Sequence, residues 1–179
     1  MSRKLMITIH LALSAFFTPI LIIIAISGGL YLLGEKGSKE TEIVYQGEMN
    51  GFTFKTDDRE SQVNQFLKSH HIDHSFEYVK GGGRFMVTRP TSKTYLQFEK
   101  ENNQLIVKKV TPDFVASIIE IHKGHGPTSL KLFQKILAVG LLLILLTGFY
   151  LGVTSPMLKL KTLAISGSGL LVFLLLTLM

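Results

Sequence analysis

The sequence predicts a membrane protein, with three transmembrane α-helices and a small α+β domain between the first and the second. Three observations predict it. The 179 residues are 46% hydrophobic and only 18% charged, against ~25% charged in a soluble domain. The apolar residues fall in blocks: Leu5 to Leu33, Ile136 to Leu158 and Thr162 to Met179 contain no Asp, Glu, Lys or Arg. All 13 acidic residues lie between Glu35 and Glu120. A helical span needs ~17–25 predominantly apolar residues, so each block is long enough, the last one narrowly. The implied organisation is a first helix over residues 1–34, a polar domain over 35–129, a second helix over 130–153, a loop over 154–161 and a third helix over 162–179.

Charge placement sets the expected orientation. The middle region balances its acids with equal numbers of Lys and Arg, so the net +6 comes from residues flanking the spans. These are Arg3, Lys4, Lys131, Lys135, Lys159 and Lys161. A pI near 9.5 that arises this way argues against a nucleic-acid partner and for a membrane lipid surface. Arg3 and Lys4 lie on the same side of a three-span chain as Lys159 and Lys161. The positive-inside rule puts that side in the cytoplasm and the middle domain outside, which in a bacterium is the periplasm. Cysteine is absent, so no disulfide supports that domain. The first apolar stretch exceeds the ~7–15 residues of a signal-peptide core, so it reads as a retained span.

Each element has its own signals. Span one carries Pro19, which removes one helical hydrogen bond, then Ser27-Gly28-Gly29 and Tyr31 at interface depth. Glu42 to Gln46 and Phe52 to Phe54 are strand candidates. Asp57 and Glu60 resemble a helix-capping pair, and Val63, Phe66 and Leu67 recur at helical spacing. Ser75 to Lys80 and Arg84 to Arg89 flank Gly81-Gly82-Gly83, a hairpin signal. Thr94 to Lys100 and Gln104 to Val110 flank Glu101-Asn102-Asn103, a second one. A last helix is expected with Thr111 as cap, Pro112 in its first turn and Gly124 as its stop. Span two carries Gly140, Gly148 and Gly152, and span three carries Ser166-Gly167-Ser168-Gly169. These small residues predict close helix approach.

Histidine is the residue type most able to carry chemistry here. His10 lies inside span one, where a polar imidazole is costly without a partner. It reads either as functional or as a side chain reaching for headgroups. His122 and His125, in His122-Lys123-Gly124-His125-Gly126-Pro127, read either as ligands for a metal such as haem iron or as a solvated helix terminus. His70, His71 and His74 lead into a strand and read as exposed loop histidines. His10 sits at one end of a ~30 Å apolar core, and His122 and His125 lie beyond the other. One chain therefore cannot place His10 and either of the others on a single haem. His122 and His125 are too close in sequence to reach its two faces easily. A bis-histidine site would need a second copy of the chain or another subunit. No cysteine nucleophile, no phosphate-binding glycine loop followed by Lys and no His-Glu-x-x-His helix occurs. No acid lies within a span, which argues against a transporter.

The layout resembles the PepSY-associated transmembrane family in a short three-helix form. The resemblance is carried by His10 near the start of the first helix and by His122 or His125 before the helix after the outer domain. The closing run Leu146-Thr147-Gly148-Phe149-Tyr150-Leu151-Gly152 completes it. It implies a PepSY-like extracytoplasmic domain in the bacterial inner membrane. It further implies a redox role in which b-type haem on His10, His122 and His125 passes electrons, as a component of a membrane reductase for ferric siderophores or another periplasmic redox process. Homodimer or redox-partner contacts would complete the haem sites. Isolated PepSY domains also imply the alternative, a non-enzymatic, membrane-anchored binding or regulatory module.

Overall fold

A computed structural model describes residues 2–49 and 51–179. The chain divides into two compact units, residues 22–134 and residues 1–21 with 135–179. Three helices are long and apolar enough to cross a membrane: α1 (Arg3–Leu32), α4 (Thr128–Val153) and α5 (Lys159–Leu178). They match the three apolar blocks. Lys159 and Lys161 lie in the first turn of α5, and the connection before it is residues 154–158.

Between α1 and α4 lie β1 (Lys39–Glu48), α2 (Arg59–Ser69), β2 (Tyr78–Gly82), β3 (Phe85–Arg89), β4 (Tyr95–Glu101), β5 (Gln104–Pro112) and α3 (Phe114–His122). The five strands form one antiparallel sheet in the order β1-β5-β4-β3-β2. Both expected hairpins form. Asn102 (φ 45°) and Asn103 (φ 65°) make the two-residue turn from β4 to β5, a conformation Asn tolerates better than most residues. In the first hairpin the strands run further into the glycines than expected. Gly82 pairs with Phe85, and Gly81 holds φ 119°, where a Cβ would lie 2.4 Å from the Phe85 carbonyl oxygen.

Val63, Phe66 and Leu67 of α2 pack on one sheet face with Met86, Leu96, Phe98, Leu105 and Val107. Each fully buried side chain of this size contributes about 1.5–3 kcal/mol. Phe52 and Phe54 belong to this core but form no strand. Aromatic alternation is a strand signal, yet here the loop folds inward and sets Phe52 against Phe66 of α2 and Phe98 of β4, with Phe54 beside it. The opposite face buries Val87, Tyr95 and Val110.

Two caps differ from expectation by a residue or two. Asp58 caps α2, accepting from the Ser61 amide at 3.2 Å. Asp113 caps α3, accepting from the Ala116 amide at 2.7 Å. Thr111 and Pro112 instead finish β5, where they pair with Glu40 and Lys39. The Asp113 carboxylate also accepts from the Ser38 amide and hydroxyl, both at 2.8 Å, which fastens the start of β1 to the start of α3. Gly124 (φ 75°) ends α3 as expected.

Candidate functional site

Three histidines carry the candidate chemistry, and each is held by one ring nitrogen. In the unit containing residues 2–21 and 135–179, His10 of α1 faces α4. Its Nδ1 lies 2.9 Å from Thr147 Oγ1. The Thr147 hydroxyl donates to the Leu143 carbonyl at 2.6 Å, so its only proton is committed and it accepts from His10. That assigns Nδ1–H to His10. Gly148, the next residue, makes the approach feasible: a Cβ there would lie 3.1 Å from His10 Cε1.

In the unit of residues 22–134, His122 at the end of α3 meets the last turns of α1 in the same manner. Its Nδ1 lies 3.1 Å from the Ile24 carbonyl and 3.2 Å from Ser27 Oγ. A carbonyl only accepts, so His122 also carries its proton on Nδ1. A Cβ on Gly28 would lie 3.0 Å from His122 Cε1. Each imidazole thus lies across a hydroxyl-glycine pair, Thr147-Gly148 for His10 and Ser27-Gly28 for His122.

His125 follows the glycine that stops α3. Its Nδ1 lies 2.7 Å from Glu120 Oε2, and a carboxylate partner again makes Nδ1 the donor. Glu120 is the centre of a larger network that the sequence did not reveal. Thr91 Oγ1 donates to it at 2.8 Å and Lys39 Nζ at 3.3 Å. Lys123 and Arg89 approach within 3.7 and 4.0 Å. Burial by itself would raise the Glu120 carboxyl. The hydrogen bonds from His125 and Thr91 and the nearby Lys39 charge outweigh it and hold the pKa at about 2. An acid next to basic residues near a helix end was the available signal. Its partners Lys39, Arg89 and Thr91 are far away in sequence, so only the fold assembles them.

Among the described residues the three histidines share no hydrogen-bond partner. Among the described residues no group of three His, Cys, Asp or Glu side chains is arranged to hold a metal ion. His70, His71 and His74 divide. His71 is exposed. His70 ends α2, with Nδ1 2.9 Å from the Phe66 carbonyl and its ring stacked on Phe66 at 4.2 Å. His74 Nε2 lies 3.0 Å from Thr88 Oγ1, and burial, with Lys109 nearby, lowers its pKa. The reading of all three as exposed loop histidines therefore holds for His71 alone. The other two lie beside the aromatic and β-branched residues of the domain and serve its packing.

Three helices of membrane-crossing length with a sheet domain between the first and second define a membrane-anchored protein with one α+β domain. The chain belongs to the PepSY_TM-like family, which matches residues 52–179. No curated protein and no solved structure matches the chain.

Proposed function

We propose that this protein is a haem-linked electron-transfer subunit of the bacterial inner membrane, supporting ferric-siderophore reduction or another periplasmic redox process. The observation that supports this reading is the shared state of His10, His122 and His125. In each, Nδ1 is engaged by a fixed partner, which leaves Nε2 as the ring nitrogen that would ligate iron. His10, His122 and His125 are the residues that would hold haem iron, each through Nε2. Haem b, when bound, would supply one-electron chemistry at iron. The chain's own residues fix the ring planes and tautomers, and the glycines leave room for the rings. A second copy of the chain or a redox partner would complete such a site. The basic residues Arg3, Lys4, Lys159 and Lys161 favour a cytoplasmic N-terminus and a periplasmic domain.

One observation favours the alternative, a non-enzymatic anchored binding module. The Nδ1 bond of His122 also ties α3 to α1, and that of His125 ties the turn after α3 back to Glu120 of that helix, which is sufficient reason to have histidine there. The deciding experiment is a reduced-minus-oxidised visible spectrum of the detergent-purified chain, expressed with ample haem, beside His10→Ala, His122→Ala and His125→Ala. A b-type signal lost in at least one variant supports electron transfer. A blank spectrum for the parent chain, both alone and with co-purified partners, sinks it in favour of the binding module.

A further inference from the structure

The membrane unit contains one feature that the histidines do not explain. Leu13 and Phe17 of α1 and Val139, Gly140 and Leu143 of α4 line an almost wholly apolar groove of about 380 Å³, with Lys135 at its end. Glycine shapes its floor. A Cβ at Gly140 would sit 2.2 Å from the Phe17 ring, so only glycine lets that ring lie against α4. The rim is open, with Val139 60% and Leu143 44% exposed. From Lys135 to Leu143 is eight residues, about 12 Å along a helix, close to the depth of one leaflet of a ~30 Å hydrocarbon core. Lys135 is exposed, and no acidic side chain forms an ion pair with it among the described residues.

We propose that this groove is a binding site for one anionic phospholipid, its acyl chain lying along Phe17, Val139 and Leu143 and its phosphate on Lys135. An apolar trough one leaflet deep fits an acyl chain. The unpaired ammonium at the headgroup end selects a negative head, and the lysine stem can follow the apolar wall while its charge stays in the interface. A helix from another protein would leave that ammonium to find an acid of its own at the same depth.

The test is native mass spectrometry of the full-length chain, loaded with an equimolar mixture of phosphatidylglycerol and phosphatidylcholine of identical acyl chains. The parent protein is expected to retain one phosphatidylglycerol in preference to phosphatidylcholine. Lys135→Gln should reduce that preference about fivefold, the equivalent of the ~1 kcal/mol that one basic residue contributes at a membrane surface. Val139→Trp, at an exposed position that a larger side chain can occupy without refolding the pair, should lower retention of both lipids. Equal retention of the two lipids by the parent chain, or a preference unchanged in Lys135→Gln, would overturn the proposal. A dimer that forms as lipid is released would overturn it too, by assigning the groove to a second copy.

Discussion

Replacing Glu120 with Gln keeps the shape of the side chain and removes its charge, so the variant imitates the protonated acid. The expected loss can be worked from the structure. The carboxyl is held at about 2 against an ordinary value of 4.5, and its side chain is only 11% exposed. At about 1.4 kcal/mol per pH unit, the charged form is worth about 3 kcal/mol at neutral pH. Breaking a buried ion-pair network from one side gives a similar figure, about 3–5 kcal/mol, because Arg89 would remain buried without its counter-charge. The sign follows from the direction of the shift. A lowered carboxylate pKa gives stability that is complete above 4.5 and is lost as pH falls toward 2. Pulse proteolysis of the full-length chain in detergent across a urea series measures this. With a slope of ~1.5 kcal/mol per molar urea for a domain of this size, the midpoint of Glu120→Gln should fall by about 2 M at pH 7. Glu77, Glu99 and Asp113 are also held low by their hydrogen bonds, so both proteins weaken in acid. The gap between them isolates Glu120 and should narrow from pH 5 to pH 3. A gap below about 0.5 M at pH 7, or one that stays constant down to pH 3, would refute the reasoning.

Two other outcomes are expected. The His74 pKa is lowered by burial, so its neutral form supports the fold above about 6.5 and that support is lost as pH falls below it; His74→Asn should flatten the urea midpoint between pH 7.5 and 5.5, and a parent midpoint already flat there would contradict it. Gly28→Val and Gly148→Val place branched side chains where even a Cβ lies 3.0–3.1 Å from an imidazole. Each should destabilise the chain by about 1–3 kcal/mol through overpacking, seen as earlier thermal unfolding in detergent, whereas wild-type melting would mean the rings are not seated on these glycines.

Much of the domain was legible because its signals are local. The Asn102-Asn103 turn, the Gly124 stop and the Val63-Phe66-Leu67 stripe each lie within a few residues. The misreadings arose where one local signal had two physical uses. Pro112 suits a first helical turn, but it can also stand at the last position of a strand, and the pairing of β5 with β1 took it. Asp57 and Asp58 are both acceptable caps, and the sequence could not choose between neighbours. Phe52 and Phe54 alternate like a strand, yet what decides their fate is the core they share with Phe66 and Phe98, which is a tertiary fact. The Glu120 network was illegible for the same reason, since Lys39 and Arg89 reach it from β1 and β3.

The glycines of the membrane helices show where pattern reading stops. Gly140, Gly148, Gly152, Gly167 and Gly169 give the same signal, that something can come close. The structure separates them by what does. Phe17 takes Gly140, His10 takes Gly148 and Thr162 takes Gly152, each within 3.1 Å of where a Cβ would stand, while Gly167 and Gly169 meet nothing within 4 Å. Close packing is therefore realised on α4 and not at this stretch of α5, which has no buried residue. Small residues permit approach without specifying a visitor, because in lipid no hydrophobic gain drives helices together. The visitor is fixed by a polar bond or an aromatic ring elsewhere in the chain. At Gly148 it is a histidine whose Nδ1 needs an acceptor inside the membrane, and Thr147 is the adjacent residue that can offer one. The pairing of a hydroxyl with a glycine is thus the informative signal for a seated imidazole, and it occurs again at Ser27-Gly28 beneath His122.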